Sequence, residues 1–118
     1  MTGPIFDTHA HYSAHAFDAD RFALLDSLPA KGVVGVCEQA THSGDAPRVL
    51  ELAHRYPWVV AAIGIHPESL LAPEDCGADG PAPTVSVYGG DWAAEMRALA
   101  PYYDDPKVVA VGECGLDY

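Results

Sequence analysis

The chain has 118 residues, 17 of them acidic and 6 basic, for a formal net charge of -11. That length and a 49% hydrophobic content fit one small domain with an apolar core. The charge excludes nucleic-acid binding by a basic surface, which rests on Lys and Arg neutralising phosphates; a nucleic-acid substrate would need a metal ion, or protein outside this chain.

The first predicted element is a strand over Ile5–His9, followed by a helix from Asp20 to Ala30. That helix carries Phe22, Leu24, Leu25 and Leu28 at helical spacing, with Gly32 as its stop. A second strand spans Val33–Cys37. Ser43-Gly44-Asp45-Ala46-Pro47 then reads as a helix start, with Pro in the first turn. This second helix buries Val49, Leu50, Leu52 and Ala53 and ends near Tyr56-Pro57. A third strand runs Trp58–Ile65. A third helix, about Asp91 to Tyr102, has Trp92, Met96 and Leu99 facing in, and a fourth strand covers Lys107–Gly112.

The strands are runs rich in Val and Ile rather than clean alternations, which suits strands buried on both faces. The βαβαβαβ order implies parallel pairing and right-handed crossovers. Pro67 to Gly90 is too long for an ordinary connection and leaves the C-terminal end of the third strand. It reads as a substrate lid or as a disordered surface insertion.

Three stretches carry chemistry. In Asp7-Thr8-His9-Ala10-His11 the period of a strand puts Asp7, His9 and His11 on one side. Two imidazoles there can hold one cation, with Asp7 as ligand, as a support behind a ligand, or as a turn cap. In Gly64-Ile65-His66-Pro67 a histidine ends the third strand, where alone it would more often cap the strand. In Gly112-Glu113-Cys114-Gly115 a carboxylate ends the fourth strand between glycines. Carboxylates bridge divalent ions, and imidazoles suit Zn, Fe or Mn. His9, His11, His66 and Glu113 thus converge at the C-terminal rim, as in a metal-dependent hydrolase.

Other residues carry less. Glu38 and His42 follow the second strand and either touch a substrate or are solvated; His15 and His54 read as surface residues. Cys37, Cys76 and Cys114 form no CxxC pair and read as packing in a reducing compartment. MTGPIFDTHAHY lacks a basic region followed by a long apolar run, and no apolar stretch spans a membrane, so a cytoplasmic protein is expected. GxSxG, P-loop and GxGxxG motifs are absent from the sequence.

IFDTHAHY, VVAAIGIHPES and VVAVGECGLDY, in this order and spacing, resemble the TatD-type metal-dependent hydrolases. These are TIM-barrel members of the amidohydrolase superfamily, many of them deoxyribonucleases. The resemblance covers Ile5 to Tyr118. It implies His9 and His11 as metal ligands, Glu113 as a ligand that bridges where two ions bind, His66 as a catalytic or phosphate-contacting group, and Asp7 as a support behind the ligands. It further implies one or two divalent ions (Mg, Mn or Zn) and hydrolysis of DNA phosphodiesters by metal-activated water. Another ester, lactone or amide is the alternative substrate. Tyr12 and Ser13 depart from the family, which usually has an apolar residue and then Asp or Asn there.

The family's barrel has eight strands in roughly 250 residues, and its later ligands, two histidines and an aspartate, would follow Tyr118. Residues 1–118 are therefore expected to be the N-terminal half of a (β/α)8 barrel, with four strands and three helices. An open parallel half-sheet has two unpaired edges and an uncovered face. It is expected to pair with a complementary half, to self-associate, or to stand as an inactive fragment.

Overall fold

A computed structural model describes residues 3–70 and 87–116. Four parallel strands form one sheet in the order β1-β2-β3-β4. They are β1 (Ile5–Ala10), β2 (Val33–Gln39), β3 (Val59–Ile63) and β4 (Val108–Val111). Three helices connect them, α1 (Arg21–Ser27), α2 (Ala46–Arg55) and α3 (Trp92–Leu99). Sequential order with every pair parallel is the topology of an opened barrel.

Local chemistry sets the helix bounds. Pro29 breaks α1 early, and the chain continues as a 3-10 turn, Pro29–Lys31. Gly32 follows at φ 90°, left-handed backbone that glycine adopts without strain, and ends the turn as expected. Pro47 lies in the first turn of α2, whose Val49, Leu50, Leu52 and Ala53 are all buried. The Asp91 carboxylate caps α3 by accepting the N–H groups of Ala93 and Ala94.

One apolar cluster joins the helices to one face of the sheet. It includes Leu25, Leu28, Val49, Leu52 and Leu99 from the helices and Val36, Val59, Ala61 and Ile63 from β2 and β3. Burying each large aliphatic contributes about 1.5–3 kcal/mol. Most of the two inner strands is thus enclosed as their apolar runs suggested, but Val34 at the start of β2 is exposed.

The outer strands correct that expectation. Phe6 is 52% exposed, Val109 58% and Val111 70%. Helices cover one face only, and β1 and β4 each lack a neighbour on one side among the described residues. A second correction concerns α3, where Trp92 is 64% and Met96 49% exposed. The inward pair is Glu95 and Leu99, four residues apart, because Glu95 Oε2 accepts the Ser43 N–H at 2.8 Å. Most of the Pro67 to Gly90 segment, with Cys76, lies outside the described residues, as do Asp117 and Tyr118. Pro67–Leu70 forms a 3-10 turn.

Candidate metal centre

The C-terminal ends of β1, β3 and β4 meet at one mouth. His9 lies in β1 and His11 just after it. The Asp7 carboxylate accepts the His9 backbone N–H at 3.1 Å, which fixes the strand backbone just before His9 rather than a ring. His66 follows β3, and its N–H donates to Thr41 O at 2.7 Å.

Glu113 arrives by an unusual path. Gly112 N–H still donates to Ile63 O, the normal neighbour on β3. The next residue then passes over the end of β3, and Glu113 N–H donates to Ala40 O, beyond β2, at 2.9 Å. Gly64 makes that crossing possible: a Cβ there would stand 2.7 Å from Gly112 C, and closer still to Glu113 O.

The result is a tight cluster of donors. His9 Nε2 is 3.1 Å from His11 Nε2. Glu113 Oε1 is 3.5 Å from His9 Nε2, and Oε2 is 3.3 Å from His11 Nε2. His66 Nε2 is 3.7 Å from Glu113 Oε1. Ligands about 2.1 Å from a small divalent ion, at angles of about 90–110°, stand roughly 3.0–3.4 Å apart. The His9–His11 and His11–Glu113 spacings fall in that range and the His9–Glu113 spacing lies just beyond it, and among the described residues these three form the group able to hold one cation. His66 Nδ1 accepts the Glu68 N–H at 3.1 Å, so the neutral ring carries its proton on Nε2, the atom nearer Glu113.

Glu38 and His42 are neither solvated nor simply exposed at the rim. Glu38 is fully buried, and its Oε1 accepts the Ser13 N–H at 2.6 Å. Burial pushes its carboxyl above the usual carboxylate range, against the lowering effect of the Ser13 and Tyr12 hydrogen bonds. His42 is buried as well. The sequence did hold a signal for Glu38, an acid within the apolar strand end VVGVCEQA. His15 and His54 lie on the surface as expected, and His54 pairs with Asp105 at 2.6 Å. Cys37 is buried and Cys114 exposed, both as free thiols.

Known proteins bear on this geometry. The family model described as "TatD related DNase" matches residues 6–118. The chain belongs to the TatD family. It is similar to deoxyribonuclease TATDN3 of Homo sapiens, 32% identical over 97% of this chain and 38% of that protein. It is 30% identical to the 3'-5' ssDNA/RNA exonuclease TatD of Cronobacter turicensis, over 97% of this chain and 36% of the relative. The crystal structure of YjjV, a TatD homologue from Escherichia coli, superposes with a TM-score of 0.71 at 31% identity. That match covers 96% of this chain and 38% of YjjV. By sequence YjjV is an uncharacterized metal-dependent hydrolase, 36% identical over 94% of this chain and 37% of the relative. The chain thus spans less than two fifths of the TatD relatives it matches, and its fold is a partial TatD barrel. No helix among the described residues is long and apolar enough to cross a membrane.

Proposed function

We propose that this TatD chain supplies the metal-binding side of the active site of a hydrolase that cleaves DNA phosphodiesters with water. The observation that carries the reading is the donor cluster of His9, His11 and Glu113 at the C-terminal strand ends of a TatD fold. His9, His11 and Glu113 would hold a divalent ion. Two imidazoles and a carboxylate suit Zn or Mn better than Mg, which favours all-oxygen shells. Such an ion, when bound, polarises the scissile phosphate and lowers the pKa of bound water.

The protein's own groups do the rest. Asp7 holds the β1 backbone at His9 through its carboxylate. Glu113 anchors the rim of β4, and the Nε2–H of His66 is placed to donate to a phosphate oxygen beside it. The names of TATDN3 and of Cronobacter TatD point to nucleic acid as substrate.

Residues 1–118 correspond in this reading to the N-terminal half of a barrel. The exposed face of Phe6, Val109 and Val111 supports cover by further barrel strands or by a second copy. The free thiols of Cys37 and Cys114 support a cytoplasmic location.

The test is release of nucleotides from end-labelled single-stranded DNA with added Zn or Mn. Metal-dependent release that Glu113→Gln abolishes supports the reading. Release unchanged by Glu113→Gln, or cleavage of ester or lactone substrates but not DNA, overturns it.

A further inference from the structure

The mouth opens into a cavity of about 540 Å³, within the ~300–1,000 Å³ range of small-molecule sites. Its lining includes His15, His42 and Arg48, which the proposed hydrolysis does not use. His42 is 5% exposed, and its Nδ1 accepts the Gly44 N–H at 2.8 Å. The proton of the neutral ring therefore sits on Nε2. That atom is buried and has no hydrogen-bond partner among the described residues. Buried donors are nearly always paired, so an unpaired one in a residue that lines the cavity calls for an acceptor.

Arg48 is held in place. Its Nη1 donates to His15 Nε2 at 3.0 Å and its Nη2 to Asp18 Oδ1 at 3.2 Å. His15 Nδ1 donates in turn to Asp18 Oδ2 at 2.9 Å. A guanidinium has five N–H donors, so most remain free for a ligand. Asp45, the carboxylate of the same loop, is satisfied within that loop by the N–H groups of Thr41 and His42 and by the Thr41 hydroxyl. It is therefore not an open repellent to an anion.

We propose that Arg48 and His42 form a phosphate subsite that takes the phosphate flanking the one at the His9, His11 and Glu113 cluster. The inference rests on the reading of the chain as a phosphodiester hydrolase. Arg48 offers a planar fork to two phosphate oxygens, and His42 Nε2–H donates to the third. His15 and Asp18 are positioning residues that hold the fork. In a chain of net charge -11 such a local cation is how a polyanion finds purchase.

Imidazole nitrogen NMR of the metal-free 118-residue chain tests this, with inorganic phosphate and then 5′-phosphorylated dithymidine as probes. Both are expected to shift the His42 Nε2 signals. Arg48→Gln should weaken phosphate at least tenfold, with Arg48→Lys intermediate, because charge is kept and the fork lost. Zn affinity, read by calorimetry, should stay within about twofold of wild type in both variants, and retained Zn binding also certifies that they fold. His42→Gln serves where Arg48→Gln fails that check. Shifts confined to His9, His11 and His66, no shift at all, or undiminished phosphate affinity in the folded variants overturns the subsite. Phosphate binding at His42 in a protein that cleaves no DNA would sink the hydrolase reading and leave the subsite standing. Cleavage without that binding would do the reverse.

Discussion

Gly64→Ala should disable the metal centre without touching a ligand. An added Cβ meets backbone on the β4 side, at 2.7 Å from Gly112 C and 3.0 Å from Glu113 C. Ordinary contact begins near 3.4 Å and Glu113 O lies nearer still than Gly112 C, so the crossing segment must retreat by more than about 0.7 Å. Neither neighbour is a flexible side chain that could swing away. Overpacking of this kind costs about 1–3 kcal/mol. Retreat also stretches the bonds from Gly112 N–H to Ile63 O and from Glu113 N–H to Ala40 O, each worth about 1 kcal/mol. A total destabilisation of about 2–4 kcal/mol follows. The same retreat draws the Glu113 carboxylate away from His9 and His11. If about 1.4 kcal/mol of that appears as lost coordination, cation affinity falls tenfold. The assays are Zn calorimetry and urea unfolding, with Gly3→Ala as control, since nothing lies within 4 Å of a Cβ at that position. Wild-type Zn affinity and stability in Gly64→Ala would refute the crossing as the device that places Glu113.

Three further outcomes are expected. Glu38 has its carboxyl raised in the folded state, so it favours folding fully below the unfolded value of 4.5, and that contribution is lost as pH rises through the higher folded value; Glu38→Gln should flatten the decline in urea stability above pH 4.5, and an unchanged slope would place the cause elsewhere. Glu95→Ala removes the acceptor for the half-buried Ser43 N–H and should cost about 1–3 kcal/mol, read by thermal unfolding. Val111→Glu places a charge on the exposed sheet face and should lower the association of the 118-residue chain in analytical ultracentrifugation; a wild-type chain that stays monomeric up to high micromolar concentration would remove the premise.

Much of the fold was legible because its signals are local. Val and Ile runs marked four strands, and helical spacing marked Leu25, Leu28 and the inner face of α2. The α3 face was misread because hydrophobic spacing cannot weigh a half-buried hydrogen bond: Glu95 turns inward to hold Ser43 while Trp92 and Met96 turn out. The ligand candidates could be read from residue type, spacing and strand-end position taken together, and the structure brings His9, His11 and Glu113 together with His66 beside them. Their detailed geometry was not, because it depends on Gly64 giving way to a distant backbone. Arg48 was silent in sequence, since a basic residue in an amphipathic helix looks like any solvated charge. Only the three-dimensional meeting of α2 with the His15 turn gives it a partner.

The crossing of Glu113 over the end of β3 also has a mechanical meaning. β1 and β4 are the outermost strands of the sheet, and His9 and Glu113 are 104 positions apart in sequence (113 minus 9), yet their side chains stand 3.5 Å apart. A cation held between them is a clasp that joins the two free borders of a curled ribbon. Its binding energy would favour the rolled shape over the flat one, and the ligand-bound population would gain stability by mass action. Melting temperature should therefore climb with Zn concentration, and the outer strands, rather than the middle ones, should show the greatest gain in amide protection.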